Sequence, residues 1–318
     1  MRRGGPPILP VDAASVPPFA RVERGPRGLR LAPGDAPAAA AGDAPAPALR
    51  LRAGAPVVIR EAAVVAGGRL ALATADGVAY SLALPQVRVV HDRRPPGLAA
   101  AAGAPLANAG LLRADDGWRV VVLPSLGDVA AGLGPGPAAI RGDGRRVAAA
   151  VDGGVEEWDL GEADPVARHE RTASALCYAG DGTLLAAAGA AVGAPGLDPA
   201  PGSPIAALGG AAAAPRAVAR HEDGTISVWE AGSAEPVASW PSPLPGGGDP
   251  SLSADGALVA IGSPAGADPV ACLARAEDGA LVRAVAGARV LAPSPAGDGM
   301  VVGGDWGCAW LTPDEEDG

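Results

Sequence analysis

The sequence predicts an all-β protein built from seven repeated units. After residue 48 the chain consists of short runs rich in Val, Ala and Leu, separated by glycine-containing turns, and helix-length amphipathic periodicity is scarce. The turns recur at a regular distance along the chain. Hydrophobic residues make up 48% of the 318 residues but aromatic residues only 3%. We therefore expect small side chains to fill a core of tightly stacked sheets.

A first series of turns sets the number and size of the units. Its members are Gly67-Gly68, Ala109-Gly110, Asp143-Gly144, Asp181-Gly182, a degenerate turn near Ala213, Asp255-Gly256 and Asp298-Gly299. The seven turns are about 38 residues apart on average, which is close to the repeat of a four-stranded propeller blade. This spacing predicts a β-propeller of seven four-stranded blades.

A second series of turns follows several residues after the first. Its members are Asp76-Gly77, Asp116-Gly117, Asp152-Gly153, Asp223-Gly224 and Asp305. Asp-Gly suits a two-residue hairpin turn, because such a turn needs positive φ, which glycine adopts freely. The stretch "HEDGTISVWE" (221–230) is thus predicted to be a turn entering a strand, with Ser227 and Trp229 on one face and Ile226 and Val228 on the other.

The two ends of the chain differ in composition from the repeated region. Residues 1–47 are predicted to form an extension with a hairpin around Gly25-Pro26 and a linker rich in Pro and Ala, 48–313 the propeller, and 314–318 an acidic tail. We expect the strand-like residues 48–52 to pair with the last unit near Trp310-Leu311 and close the ring, with 19–31 as the alternative source of that strand.

Composition excludes several functional classes. The formal net charge is −10 and all basic residues are Arg, so no broad basic face is expected and nucleic-acid binding is disfavoured. Cys177, Cys272 and Cys308 lack the paired spacing of a zinc site or disulfide framework, which predicts buried free thiols. We find neither a signal peptide nor a membrane span, and expect a cytoplasmic protein. The residue usage suggests GC-rich codons and a high-GC bacterial source.

Three adjoining segments resemble the WD40-repeat family. In "DGTISVWE" (223–230) and "DGGVEEWDL" (152–160) the Asp-to-Trp separation matches the family's strand motif, and Trp158-Asp159 is its name-giving dipeptide. "HERTASALCYAGDG" (169–182) is similar to the family's segment from histidine to Asp-Gly. The resemblance covers 48–313 and is best over 143–230. It implies a propeller in which the following residues are structural: Asp152, Trp158, Asp159, His169, Asp181, Asp223 and Trp229.

The family also often carries a buried hydrogen-bonded set of Asp, His, Ser or Thr, and Trp within one blade. No unit of this sequence shows all four in matching positions.

Catalytic and metal-binding patterns are scarce. The three histidines, His91, His169 and His221, have no neighbouring ligand at metal-site spacing, and Ser263 lacks the order of a nucleophile elbow. We therefore expect no metal, no cofactor and no enzymatic activity. Two alternatives stay open: a lactonase-like or hydrolase-like propeller enzyme with a metal in the central channel, and a small-ligand sensor.

The expected function is that of a scaffold or interaction module, monomeric in isolation, which binds another protein through one propeller face. Trp118 and Trp306 lie at second-series turns, on the face that WD40-like propellers most often use for partners. They could flank a patch with Asp76 and Asp305, and Trp240 and His221 are further candidates. The alternative is that the tryptophans pack between blades and fill the space left by alanine.

Overall fold

The computed structural model describes residues 8–9, 21–25, 28–32, 50–51 and 59–311, except 86, 135, 163, 197, 199, 245, 264–268 and 305–306. These residues form thirty β-strands, and the helical structure among them is one short 3-10 turn, Ala66–Gly68. Four strands precede the repeated region: β1 (Ile8–Leu9), β2 (Arg21–Gly25), β3 (Gly28–Ala32) and β4 (Arg50–Leu51).

The other strands form seven antiparallel sheets, each made of consecutive strands. Each sheet is one blade. The first three blades have four strands: β5 (Glu61–Val65), β6 (Leu70–Ala75), β7 (Val78–Ala83) and β8 (Arg88–Arg93) in blade one; β9 (Leu98–Ala104), β10 (Ala109–Ala114), β11 (Gly117–Val122) and β12 (Gly127–Leu133) in blade two; β13 (Ala138–Ile140), β14 (Arg146–Val151), β15 (Gly154–Asp159) and β16 (Ala167–His169) in blade three.

Among the described residues, blades four and seven have three strands and blades five and six have four. They consist of β17 (Leu176–Tyr178), β18 (Leu184–Ala188) and β19 (Ala191–Gly193) in blade four; β20 (Ile205–Gly210), β21 (Arg216–His221), β22 (Thr225–Glu230) and β23 (Ala238–Pro241) in blade five; β24 (Ser251–Leu252), β25 (Leu258–Ile261), β26 (Val270–Arg275) and β27 (Leu281–Ala286) in blade six; β28 (Ala288–Pro293), β29 (Met300–Gly304) and β30 (Gly307–Leu311) in blade seven.

The blades close into a ring around a central channel. The first strand of each blade contacts the first strand of the next, and β28 of blade seven contacts β5 of blade one. Residues from all seven first strands line the channel. The protein is therefore a seven-bladed β-propeller, as the turn spacing predicted.

The turns define two faces of the ring. The first-turn face carries the loops between the first and second strands of each blade, such as 66–69 and 141–145. The second-turn face carries the loops between the second and third strands, such as 76–77 and 152–153. The predicted turns within the described residues fall in or at the ends of these loops, with one exception, and Asp305 lies outside the described residues. Ala109-Gly110 lies inside β10, and the turn is at 105–108. Gly110 is needed there because a Cβ would lie 2.5 Å from Leu72 of blade one.

Ring closure differs from the expected pairing. Within the described residues Arg50–Leu51 pairs with Ile8–Leu9, and the predicted N-terminal hairpin pairs β2 with β3. Neither segment pairs with β30. The ends of the ring are instead joined by packing, because Ile59 lies in one buried cluster with Val301 and Trp310, and its main-chain N–H donates to Gly304 O at 3.0 Å.

Small residues let the inner strands approach closely. A Cβ at Gly210 would lie 2.0 Å from Tyr178 O, and one at Gly262 would lie 1.9 Å from Arg289 O. A larger residue at these positions would push neighbouring blades apart. The low aromatic content of the sequence thus corresponds to a ring of closely packed backbones.

The three cysteines are free and buried, as predicted. Burial raises the pKa of each thiol to about 12. Their side chains belong to the cores of blades four, six and seven, so they act as small apolar residues.

Candidate functional site

A hydrogen-bonded set of side chains lies inside blade five. Trp229 Nε1 donates to Ser227 Oγ at 2.9 Å, and Ser227 Oγ lies 2.8 Å from His221 Nε2. His221 Nδ1 is 2.8 Å from the carbonyl oxygen of Ser203. Because that carbonyl can only accept, Nδ1 carries the hydrogen, and in the neutral ring Nε2 accepts from the Ser227 hydroxyl. Every polar atom of the set is then paired.

This set corrects two expectations. His221 is predicted to be a candidate partner-binding residue on the second-turn face, but it is buried at the end of β21. Blade five also brings together more of the family's hydrogen-bonded residues than the sequence indicated. Asp223 lies beside the set and caps the turn, since its Oδ1 accepts from Thr225 N at 2.9 Å. The spacing from His221 to Ser227 and Trp229 is the sequence signal that could have revealed it.

A second buried polar set joins blades three and four. Glu157 accepts a hydrogen bond from Tyr178 Oη at 2.9 Å, and its other oxygen lies 3.2 Å from His169 Nε2. Burial, and then the negative charge of Glu157, raise the pKa of the Tyr178 hydroxyl. Arg146 holds Asp159 through two hydrogen bonds of 2.7 and 3.0 Å. His169 and Asp159 therefore make structural contacts.

The remaining repeat residues also have structural positions. Asp181 Oδ1 accepts from Thr183 N at 2.9 Å and caps its turn, whereas Asp152 is exposed in the turn before β15. Trp158 packs against Trp118 of the neighbouring blade, with ring centroids 5.5 Å apart and an interplanar angle of 48°.

The tryptophans proposed to bind a partner do not form an exposed patch in the described part of the chain. Trp118 is only 4% exposed and Trp240 only 6%. Trp240 Nε1 donates to Ala276 O at 3.2 Å, while Trp118 Nε1 is buried with no hydrogen-bond partner. Their burial supports packing between and within blades. Asp305 and Trp306 lie outside the described residues.

Asp76 is exposed, and it stands in its turn with a φ of 49°. Other acidic side chains occupy the corresponding loops of the second-turn face, namely Asp115 and Asp116 in blade two, Asp152 in blade three, and Glu222 and Asp223 in blade five. Asp116 pairs with Arg119. No ion pair forms at Asp76, Asp115, Asp152 or Glu222 within the described residues, so these carboxylates are free to meet cations from solution.

The central channel has a volume of about 730 Å³ and walls made mainly of Ala and Gly. Glu61 and Asp249 line it, together with Arg113. Glu61 stands at the start of β5 and Asp249 just before β24, so both belong to the end of the channel that opens on the second-turn face. The channel therefore has an acidic pair near one mouth.

Glu61 is a carboxyl group of the channel wall with an unusual environment. Its Oε2 accepts a hydrogen bond from the main-chain N–H of Ala101 in β9. The pKa of Glu61 is raised from 4.5 to about 7, mainly by burial and also by the nearby charge of Asp249, against the lowering effects of Ala101 N–H and Arg113. Sequence reasoning missed this residue, although it is the one charged position in the otherwise apolar strand β5.

A second, smaller cavity of about 150 Å³ lies between blades two and three. We call it the tryptophan cleft, lined by Trp118, Ala130, Ala131, Gly132, Leu133, Trp158, Asp159, Leu160, Gly161 and Glu162. Gly132 leaves room for the indole, because a Cβ there would lie 2.4 Å from the Trp118 ring. Trp118 contacts Trp158 at this cleft, and Trp306 lies outside the described residues.

Among the described residues, no group of three or more His, Cys, Asp or Glu side chains could hold a metal ion. In the same part of the chain, no helix is long and apolar enough to cross a membrane. Comparison with known protein families finds no match to this chain, and no curated protein matches it.

Proposed function

We propose that the protein is a non-catalytic, WD40-like interaction module that binds a protein partner through its second-turn face. The observation that carries this proposal is the set of exposed carboxylates at Asp76, Asp115, Asp152 and Glu222, which form no ion pairs within the described residues. They come from four blades, namely one, two, three and five, and stand on a closed ring. A rigid ring holds such groups at set distances without a further ordering cost on binding.

The chemistry of the face indicates the kind of partner. Unpaired carboxylates attract a basic surface and accelerate its encounter with the protein, and this effect weakens as salt increases. The net charge of −10 acts in the same direction. The partner surface should therefore be rich in Lys and Arg.

The proposed WD40 likeness rests on tryptophans and Asp-Gly turns that lie at equivalent positions in different blades. Trp158 and Trp229 occupy equivalent third strands, in blades three and five, and each follows an Asp-Gly turn. Trp310 is also on the third strand of its blade. These positions suit the family's repeat, although a propeller by itself does not establish a function.

Charge reversal on one face tests the proposal. Partners cross-linked to the native protein in cells of its source would be compared with those of an Asp76→Lys/Asp152→Lys/Glu222→Lys variant. The matched control is Glu235→Lys/Asp298→Lys, since these exposed acids belong to the first-turn face. We expect a basic partner that the control retains and the triple variant loses. Equal recovery by both variants would count against this face.

A second candidate function, small-ligand binding in the channel, is favoured by Glu61. A carboxyl group with a pKa of about 7, close to Asp249 and Arg113, could bind a small polar ligand and respond to its charge. A magnetic-resonance screen of small amines, amino acids and organic acids tests this candidate. Binding that Glu61→Gln abolishes would support it, and the absence of any binder would remove it.

A further inference from the structure

The outer edge of β12 is a free strand edge. β12 ends the strand order of blade two, and no strand in the described part of the chain pairs with its outer side. A free edge presents unpaired main-chain N–H and C=O groups, which can pair with another extended chain. With seven residues, β12 is long enough to accept a short peptide segment.

β12 has fewer of the features that protect the other fourth strands, although its register shifts near Val129 as at a β-bulge. Charged residues, proline or a covering element commonly block pairing at an edge. In blade one, β8 carries Arg88, Asp92 and Arg93. In blade three, β16 is only three residues long and carries Arg168. Pro241 lies in β23 of blade five, and β27 of blade six carries Arg283 and contacts β2. The single charged residue of β12 is Asp128, whose carboxylate is paired with Arg93.

Apart from Asp128, the exposed side chains of β12 are apolar. Val129 is 56% exposed and Leu133 is 84% exposed. On the neighbouring positions, Ala130 and Gly132 are small and lie opposite Val120 and Trp118 in the sheet register. A strand added to this edge would therefore lie beside apolar side chains and beside the tryptophan cleft, which residues 130–133 line.

The tryptophan cleft suits one large apolar side chain. Its volume of about 150 Å³ is similar to that of an apolar cavity that admits benzene. Trp118, Trp158 and Leu160 provide apolar contacts. The buried N–H of Trp118 has no acceptor within the described residues.

The rim of the cleft is acidic on the blade-three side. Asp159 is already paired with Arg146, but Glu162 is exposed and forms no ion pair with the described residues. A basic residue next to the apolar one would therefore gain a favourable interaction with Glu162.

We propose that β12 and the tryptophan cleft form a docking site for an extended segment of a partner protein. The segment adds to blade two as a fifth strand, inserts one aromatic or branched aliphatic side chain into the cleft, and places Lys or Arg beside Glu162. Main-chain pairing supplies affinity and the cleft supplies specificity. This site is separate from the carboxylates of the second-turn face and does not depend on them.

Selection of peptides on the full-length protein tests the proposal. The probe is a phage-displayed library of random dodecapeptides, followed by hydrogen–deuterium exchange with the enriched peptides. We expect sequences with one aromatic or branched aliphatic residue flanked by Lys or Arg, and slower exchange at 128–133. If no peptide is enriched, or if the protected amides lie elsewhere, the proposal fails.

Exposed variants keep the test separate from folding. Val129→Lys/Leu133→Lys adds charge to the free edge and should weaken peptide binding about tenfold or more. The matched control is Val90→Lys/Val282→Lys, on the fourth strands of blades one and six, which should bind as the wild type does. Glu162→Arg should weaken binding several-fold at low salt and less at high salt.

Two further results would overturn the proposal. Unchanged peptide binding by the Val129→Lys/Leu133→Lys variant would place the peptide elsewhere. A wild-type dimer in sedimentation velocity that this variant dissociates would show that a second copy of the chain occupies the edge. The charge-reversed variants of the second-turn face test the proposed function separately. Their outcome does not change the meaning of either result.

Discussion

Blades five and two each bury a tryptophan in their third strand, but the two indole N–H groups differ in their hydrogen bonding. In blade five, Trp229 Nε1 donates to Ser227, which in turn bonds His221. In blade two, Trp118 Nε1 is buried beside a cleft and has no hydrogen-bond partner among the described residues. An unpaired buried donor costs about 1–3 kcal/mol. Blade five is therefore organised for stability, whereas blade two gives up part of that stability around an open cavity and a free edge.

The largest expected effect breaks the network of blade five. Ser227→Ala removes the oxygen that pairs both Trp229 and His221, so two buried polar atoms lose a partner. The free energy of unfolding should fall by about 2–3 kcal/mol. Chemical denaturation measures it. As the control, Ser239→Ala removes only a long 3.5 Å contact and should cost about 0.5 kcal/mol or less. Equal losses in the two variants would contradict a special role for Ser227.

The next largest effect concerns the hydrogen bond between Glu61 of blade one and β9, the inner strand of blade two. The pKa of Glu61 is raised, so the folded state keeps a proton that the unfolded chain releases. Stability should therefore fall as the pH rises from 4.5 to about 7. Glu61→Gln should reduce this dependence by about 2 kcal/mol between pH 5 and 8.

Denaturation midpoints across that pH range provide the measurement. Glu162→Gln is the control, since Glu162 is exposed and has no ion pair within the described residues. Parallel pH profiles for the wild type and the Glu61→Gln variant would rule out the expected coupling.

A matched pair of substitutions compares the two indoles directly. Trp229→Phe removes a donor that is satisfied, while Trp118→Phe removes one that is not. Both substitutions lose a similar ring area, so the difference between them reports the N–H groups. We expect Trp229→Phe to be more destabilising by about 1 kcal/mol. A larger loss for Trp118→Phe in thermal unfolding would reverse the comparison.

The smallest effect concerns the outer strand of blade two. Arg93 donates to Leu126 O at 3.0 Å and pairs with Asp128, which attaches the beginning of β12 to blade one. The hydrogen bond from Arg93 also lowers the pKa of Asp128. Because the pair is partly exposed, Arg93→Ala should cost only about 0.5–1 kcal/mol.

Hydrogen exchange should show where the Arg93→Ala effect is located. Amides at 127–133 should exchange faster in the variant, while those of β23 in blade five should not change. Uniform acceleration across both strands would indicate a general loss of stability instead.

The sequence by itself determined the all-β class, the seven-unit repeat and most of the turns. The reason is local, since glycine in Asp-Gly and Gly-Gly pairs adopts positive φ at low cost, as Gly77 and Gly153 do. The structural role of Trp158 and Trp229 followed from the same repeat. The same reasoning was wrong for Gly110, which was predicted to lie in a turn. It lies in a strand, where its small size allows close contact with Leu72.

Only the tertiary structure decided which side chains meet between blades. Trp118 contacts Trp158 across 40 residues of sequence, and Glu61 bonds the main chain of Ala101 in the next blade. Ring closure also depends on a distant contact, the hydrogen bond from Ile59 N–H to Gly304 O. These contacts depend on how neighbouring sheets twist and pack around the channel. Local sequence specifies each blade, whereas the closed ring places the cleft, the channel acids and the free edge of β12.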